Sequence, residues 1–329
     1  MFIFGIHTLV QLQKYCVYCL LKFVEYISVV SSVSLFSFVL FMKMYLKTFL
    51  FAIILFTSTC LSYKPVVLIH GIMTGSNSME MILHRIKEKH PGTIIYNVDR
   101  FESWSSLETM WHQVMEIGQD LANITAKYPD GINLIGYSQG GLVARGIVQT
   151  FSNVTIDTFI SLSSPQAGQY GAGFLHLVFP GLVTDEVYEL FYSRVGQHTS
   201  VGNYWNDPFH QQLYETYSVF LPYLNNHIPS AESQNFKDNI LRLKKLVLIG
   251  GPDDQVITPW QSSQFGYYNY GNKTVIEMKD QAIYKEDRIG LRALDESGRL
   301  HVITVLGVNH FNWHTNVTIV DNYLLPHLS

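Results

Sequence analysis

Residues 132–148 read INLIGYSQGGLVARGIV, and this stretch decides the fold. Its first four residues are a strand-like apolar run, and residues 142–148 continue with a helical pattern. Between them lies the G-x-S-x-G pattern Gly136-Tyr137-Ser138-Gln139-Gly140. A serine in this pattern sits on a sharp, strained strand-to-helix turn, and the flanking glycines leave room for that turn. The strand before and the helix after therefore predict that Ser138 is a nucleophile.

The chain around this motif alternates between strands and helices. Further strand-like runs lie at 66–69, 93–98, 158–162, 246–249 and 302–306, and the longest amphipathic helical pattern spans 107–121. Alternation of this kind predicts βαβ units and a mainly parallel sheet covered by helices. Together with the serine motif, it indicates an α/β fold of the α/β-hydrolase type.

The alternation fails between about residues 168 and 237. This stretch is rich in Phe, Tyr, Leu and Pro, so we predict a helical, aromatic-rich insertion that covers the carboxyl edge of the sheet. Most of its aromatic side chains are expected to serve ordinary packing. An apolar cap above a nucleophile is also a place where a fatty chain would bind.

A serine hydroxyl needs a base, and in this fold the triad order along the chain is Ser, Asp or Glu, then His. His310 is the best-placed base because it follows the run 302–306, and loops at strand ends collect catalytic groups in such folds. His314 is the alternative and is expected inside a final helix. His301 begins a strand and is expected to be structural.

Two adjacent aspartates follow the run 246–249 and compete for the role of triad acid. Asp254 is favoured because Pro252-Asp253 resembles the turn itself, but the residues alone leave Asp253 open. The oxyanion of acyl transfer is usually met by two backbone N–H groups. We predict that these belong to Gln139 and Ile72, while His70 braces the loop that contains Ile72.

Residues 1–62 are predicted to be a disposable leader. Lys43 and Lys47 precede an apolar run at 49–56, and small residues stand near 60–62, which is the layout of a secretory signal. Met42 and Met44 are both candidate initiators, so the preceding residues would be an upstream extension. The alternative is a membrane anchor, because residues 26–42 form an uncharged run at the lower length limit for a span.

Composition narrows the chemistry of the remaining body, residues 63–329. All three cysteines precede residue 63, which excludes disulfides, thiolate–zinc sites and cysteine nucleophiles from the body. The formal net charge is −4, and only five charged residues precede residue 63, so the body is acidic and nucleic acid is not expected as a partner. We expect no metal and no cofactor, and no membrane span in the mature chain, which we expect to be a monomer. Export is supported by four N-glycosylation patterns, which begin at Asn123, Asn153, Asn272 and Asn316.

The body, from about residue 64 to 328, resembles the palmitoyl-protein thioesterases, and in particular their type 2, lysosomal branch. The G-x-S-x-G motif is shared by many hydrolases, so two other stretches are more specific. They are PQAGQYG at 165–171 and GPDDQVITPW at 251–260. By this resemblance the nucleophile falls on Ser138, the acid on Asp254 and the base on His310. The resemblance favours Asp254 over Asp253.

The resemblance implies hydrolysis of a fatty acyl thioester, such as an acyl-CoA or an S-acylated peptide, in the lysosome after passage through the secretory pathway. Secretion is the alternative destination. Mammalian relatives carry cysteines in the body, whereas this chain has none there. Two other functions stay open at this stage: a secreted lipase or carboxylesterase acting on oxygen esters, and a lipid-binding relative without catalysis.

Overall fold

The computed structural model describes residues 22, 43–46, 63–184 and 186–329. The chain divides into two compact units, Met1–Leu61 and Ser62–Ser329. In the first unit the described residues are helical, and the predicted signal segment and the run 26–42 lie almost wholly outside the described residues. The second unit contains every element discussed below.

The second unit is built on a six-stranded parallel sheet. Its strands are β1 (Val66–Ile69), β2 (Ile95–Asn97), β3 (Ile132–Tyr137), β4 (Ile156–Leu162), β5 (Lys245–Gly250) and β8 (Leu300–Thr304). Across the sheet they follow the order β2-β1-β3-β4-β5-β8. A small antiparallel pair, β6 (Tyr267–Tyr268) and β7 (Val275–Ile276), lies outside this sheet. The prediction of a parallel α/β sheet is confirmed.

The central strands are apolar on both faces because helices cover the sheet on both sides. Along β1, Val67 and Ile69 join one core cluster with α2 (Met110–Thr125) and α3 (Gln139–Thr150). Val66 and Leu68 join the other cluster with α1 (Glu80–Lys89) and the C-terminal segment. The two-residue period of a strand thus divides one apolar run between two cores.

The predicted cap is helical, as expected from its composition. It contains α4 (Ala172–Val178), α5 (Tyr188–Phe191), α6 (Ser200–Tyr204), α7 (Gln211–Tyr217), α8 (Leu221–Leu224) and α9 (Ser233–Ile240). Tyr204 and Trp205 are fully buried, which confirms that its aromatic side chains form a packed core. The remaining helices are α10 (Ala282–Lys285), α11 (Leu291–Glu296) and α12 (Val317–Ile319).

The last sheet strand differs from its prediction. The observed strand β8 begins at Leu300 and ends at Thr304. The strand predicted from the apolar run 302–306 therefore begins two residues too late. As an edge strand, β8 pairs with β5 alone, and Val302 and Leu306 are exposed. At this edge of the sheet, an apolar residue type therefore does not predict a buried side chain.

Candidate active site

The nucleophile candidate lies at the turn between β3 and α3. Ser138 has φ 53° and ψ −128°, a backbone conformation that is costly for a residue with a side chain. A β-carbon on Gly136 would approach the carbonyl oxygen of Gly140 to 2.5 Å, and one on Gly140 would approach the carbonyl oxygen of His70 to 2.3 Å. The two glycines of the motif are therefore required by the close packing of this turn.

Three side chains from three loops meet at the carboxyl edge of the sheet. Ser138 follows β3, Asp254 follows β5, and His310 follows β8. The Nε2 atom of His310 lies 3.0 Å from the Oγ of Ser138. Its Nδ1 atom lies 3.0 Å from each carboxylate oxygen of Asp254. This is the chain of contacts that a serine nucleophile, its base and an orienting acid require.

The structure separates the two aspartates by their surroundings. Asp254 is buried beside His310, whereas Asp253 is exposed and its Oδ2 accepts a hydrogen bond from the backbone N–H of Gly307 at 2.7 Å. Asp253 therefore caps a surface loop, and only Asp254 contacts the imidazole.

Asp254 is held by hydrogen-bond donors on both of its oxygens. Its Oδ2 accepts from Ser163 Oγ at 2.5 Å and from Trp313 Nε1 at 2.6 Å. Its Oδ1 accepts from the backbone N–H groups of Ile257 at 2.7 Å and Val256 at 3.1 Å. Burial by itself would raise the pKa of Asp254, but hydrogen bonding and attraction to His310, with further hydrogen bonds from Ser163 and Ile257, bring that pKa below its ordinary value.

Sequence patterns single out three histidines other than His310, and each has contacts or a position outside the chain from Ser138 to Asp254. His314 is buried against the ring of Tyr137, with ring centroids 4.2 Å apart. It lies in a turn before α12 rather than inside the helix, which corrects the sequence expectation. Burial, aided by repulsion from His310, lowers the pKa of His314 to about 4.

His301 and His70 also lie away from the chain of three. His301 is on the edge strand β8, and its pKa is lowered by burial and by Lys245. The ring of His70 contacts two carbonyl oxygens, that of Gly71 at 2.8 Å and that of Arg100 at 3.0 Å. His70 thus connects the loop after β1 to a second loop, as a bracing residue would.

The two residues expected to donate to the oxyanion belong to segments that meet at Ser138. Gln139 is the first residue of α3, and the loop that contains Ile72 follows β1. A β-carbon on Gly71 would lie 3.1 Å from the β-carbon of Ser138, so this loop touches the serine. Within the described part of the chain, neither backbone N–H donates a hydrogen bond to a protein acceptor.

The side chain of Gln139 connects the nucleophile turn to the cap, a contact that sequence reasoning missed. Its Nε2 donates to the carbonyl oxygen of Ser106 at 2.7 Å, and its Oε1 accepts from the hydroxyl of Tyr204 at 3.0 Å. The hydroxyl of Ser200 also donates to that carbonyl of Ser106. Helix α6 of the cap therefore lies directly against the residue that follows Ser138.

Three supporting residues of the site were likewise not predicted as such. Ser163 follows β4 at the same sheet edge and has φ 44°, so its position after a strand was the available signal. Trp313 lies three residues after His310, and its contact with Asp254 spans 59 residues of chain. The hydroxyl of Tyr137 donates to the carbonyl oxygen of His310 at 2.9 Å. No local pattern predicts the latter two contacts.

A large cavity lies between the cap and α2. Its volume is about 840 Å³, within the range of small-molecule pockets, and its walls are mainly apolar. They include Trp111, Tyr188, Tyr192 and Leu213, with Arg194 also among the lining residues. None of Ser138, Asp254 and His310 lines it.

The other predicted features can be placed on the described surface. Asn123, Asn153, Asn272 and Asn316 are all exposed. Among the described residues, no group of three or more His, Cys, Asp or Glu side chains could hold a metal ion. No helix in this part of the chain is both long and apolar enough to cross a bilayer.

Comparison of the chain with known proteins relates it to one family. Residues 65–310 match the family described as palmitoyl protein thioesterase. The chain is 51% identical over 271 residues to the lysosomal thioesterase PPT2 homolog of Drosophila melanogaster, covering 82% of this chain and 94% of that protein. It is 43% identical over 269 residues to lysosomal thioesterase PPT2 of Homo sapiens, covering 82% and 89%.

Solved structures provide a more distant comparison. A monoacylglycerol lipase of Paleococcus ferrophilus matches 79% of this chain and 92% of its own length, with 15% identity and a TM-score of 0.42. The fold assignment above rests on the strand order and the site turn of this chain.

Proposed function

Because the chain belongs to the palmitoyl protein thioesterase family, we propose that it hydrolyses long-chain fatty acyl thioesters to a free fatty acid and a thiol. The observation that carries the proposal is the continuous contact from Ser138 through His310 to Asp254. The substrate class comes from the relatives, which are named as thioesterases.

In the proposed first step, Ser138 Oγ attacks the thioester carbonyl while His310 Nε2 accepts the hydroxyl proton. The tetrahedral oxyanion accepts hydrogen bonds from the backbone N–H groups of Gln139 and Ile72. The C–S bond then breaks, and the thiolate leaves with the proton held by His310. This step yields an ester between the acyl group and Ser138.

In the second step, a water molecule gives a proton to His310 and attacks the acyl ester. Ser138 leaves as the alkoxide and regains its proton from His310, so the fatty acid is released and the enzyme is restored. Asp254 stabilises the charged imidazole in both steps. The hydrogen bonds that lower the pKa of Asp254 keep this carboxylate ionised in an acidic compartment.

We further propose that the apolar cavity of about 840 Å³ takes the distal part of a long acyl chain. The support is its aromatic lining and the contact between Tyr204 and Gln139, which places the cap against the nucleophile turn. Leu213→Trp narrows this cavity, and we expect it to reduce turnover of C16 and C18 acyl-CoA while sparing C8 acyl-CoA. Equal effects of Leu213→Trp on turnover of acyl-CoA of every chain length would contradict the proposal that this cavity binds the acyl chain.

The proposed location is the lysosome, reached by the secretory pathway with residues 1–62 as the leader. The relatives are named as lysosomal proteins, and the four exposed sequons are available to glycosylation. Expression in cultured cells, followed by glycosidase treatment and sequencing of the mature N-terminus, tests both points. An unprocessed N-terminus would contradict the leader, and a mass that glycosidase treatment leaves unchanged would contradict glycosylation in the secretory pathway.

The deciding experiment compares palmitoyl-CoA with a matched oxygen ester of palmitate. We expect wild type to prefer the thioester and Ser138→Ala to lose turnover of both. A strong preference for the oxygen ester would favour a lipase or carboxylesterase. Equal labelling of wild type and Ser138→Ala by a fluorophosphonate probe would favour a non-catalytic lipid-binding protein.

A further inference from the structure

Arg145 lies on α3, seven residues after Ser138, and its side chain is 1% exposed. Its Nη1 donates to Asn225 Oδ1 at 2.8 Å and to Gln149 Oε1 at 3.2 Å. Its Nη2 donates to the carbonyl oxygen of Gln166 at 3.0 Å, while Nε has no partner among the described residues. All of these acceptors are neutral.

The charge of this guanidinium has no counterion within the described part of the chain. Arginine is rarely buried completely unless a carboxylate or another anion is paired with it. Burial lowers the pKa of Arg145 to about 9, and Tyr214 is the one described titratable group that opposes this shift. The side chain therefore keeps its positive charge at neutral and acidic pH.

A cavity of about 180 Å³ with both polar and apolar walls lies close to Arg145, which does not itself line it. Asn225 and Phe265 both line the cavity and contact Arg145, whose guanidinium carbon lies 5.1 Å from the centroid of the Phe265 ring. None of its thirteen lining residues is Asp or Glu. The two basic residues that line the cavity, His227 and Arg288, are each paired with a glutamate, so Arg145 is the neighbouring cation without such a pair.

Two hydrogen-bond donors of the cavity wall are available to a ligand. The carboxamide oxygen of Asn225 accepts from Arg145, which leaves the NH₂ group of Asn225 without an acceptor among the described residues. The hydroxyl of Tyr214 makes no hydrogen bond within this part of the chain, although the side chain is buried. A buried cation beside a small cavity with free O–H and N–H donors is complementary to an anion.

We propose that this cavity binds one small monovalent inorganic anion, such as chloride, which balances the charge of Arg145. At about 30 Å³ per water, the cavity has room for such an ion and several waters. The ion would accept hydrogen bonds from Tyr214 and Asn225 of the cap, and Asn225 in turn accepts one from Arg145 of α3, the helix that begins directly after Ser138. Anion binding therefore stabilises the attachment of the cap to the nucleophile helix.

Thermal unfolding of the full chain at fixed ionic strength tests this site. Sodium chloride and sodium bromide are compared with sodium gluconate, whose anion is many times larger than a halide. We expect the Tm to rise saturably with chloride and bromide and to stay flat with gluconate, because a ligand of the folded state shifts the unfolding equilibrium. A crystal soaked in bromide should show an anomalous peak in the cavity.

Two variants and a control assign the effect to Arg145. Asn225→Asp places a carboxylate against the guanidinium, so we expect a high Tm in gluconate and no response to chloride. Arg145→Met removes the charge and should also abolish the response, since a buried ion can be replaced by an apolar residue of similar volume. Arg292→Met alters an exposed arginine near Glu296 and should leave the response intact.

The proposal is overturned if wild type has equal Tm values in chloride and gluconate and the cavity holds no bromide. It is also overturned if Asn225→Asp or Arg145→Met keeps the full chloride response. The bromide map of wild-type crystals decides even where a variant does not fold. None of these outcomes depends on turnover, so they are separate from the tests of the proposed hydrolysis.

Discussion

Two buried charges of this protein, Asp254 and Arg145, have opposite surroundings. The carboxylate of Asp254 accepts hydrogen bonds from two backbone N–H groups and two side chains, and it contacts the imidazole of His310 as its basic partner. The guanidinium of Arg145 has neutral acceptors only, and its Nε is unpaired among the described residues. Both side chains are equally inaccessible.

The difference shows what each charge requires. A triad acid must stay ionised while the charge on its histidine changes, so the chain itself supplies donors to both of its oxygens. The cation of Arg145 has no carboxylate partner among the described residues, which is why we propose an anion in the cavity lined by its hydrogen-bond partner Asn225. Substitutions at Ser138, Asp254 and their neighbours test the arrangement around Asp254 at successive points.

The largest effect is expected from Ser138→Ala, which removes the nucleophile at one end of the arrangement. In serine hydrolases, loss of this hydroxyl costs on the order of 10⁶ in kcat. We expect a similar loss for palmitoyl-CoA, measured by thiol release, with little change in Tm. Retention of more than a tenth of the activity would exclude Ser138 as nucleophile.

Asp254→Asn should have the next largest effect, because an amide cannot stabilise a charged imidazole. We expect kcat to fall by about 10⁴, in line with the same change in another serine hydrolase. Asp253→Asn is the matched control, since among the described residues its carboxylate accepts a hydrogen bond from the N–H of Gly307 alone. Similar losses in both variants would contradict the assignment of Asp254.

Ser163→Ala tests whether the donors around Asp254 matter for catalysis. The change removes one hydrogen bond from Oδ2 of Asp254 and a 3.2 Å contact with His310 Nδ1, so the pKa of Asp254 should rise and kcat should fall by about 10- to 100-fold. The acidic limb of the plot of kcat/KM against pH should therefore move to higher pH. Ser164→Ala is the control because its hydroxyl contacts Gln166 rather than the triad. An unchanged acid limb would make Ser163 a packing residue only.

The smallest effect concerns stability and arises at His314. Its pKa is lowered to about 4 in the folded chain, so the folded state favours the neutral ring while the unfolded chain titrates near 6.5. The contribution of His314 to the free energy of unfolding is therefore full above about pH 6.5 and is lost as pH falls toward 4. Between pH 7.5 and pH 5 this loss is about 2 kcal/mol. Urea unfolding of His314→Gln should show a correspondingly shallower loss, and an identical pH dependence would contradict the lowered pKa.

The sequence predicted the elements near the nucleophile well, because short-range patterns determine them. The strand predicted at 132–135, the turn at Ser138 and the helix predicted at 142–148 follow from apolar periodicity and two glycines, and the observed β3 and α3 include them. The apolar run 302–306 predicts the edge strand β8 two residues late, because apolar residues continue beyond the end of the strand to the exposed Leu306. The contacts of Trp313, Ser163 and Tyr137 were beyond prediction, because they join residues separated by 59 to 173 positions. The unbalanced charge of Arg145 was hidden for the same reason.

The central claim is most directly tested by trapping the covalent intermediate. Wild-type protein is mixed with palmitoyl-CoA, quenched with acid within the first turnover, digested and analysed by mass spectrometry. The account predicts one palmitoyl group on the hydroxyl of Ser138, and none at that residue in a matched digest of Ser138→Ala. Rapid turnover with the acyl group on another residue, or with thiol release unchanged in Ser138→Ala, would contradict it.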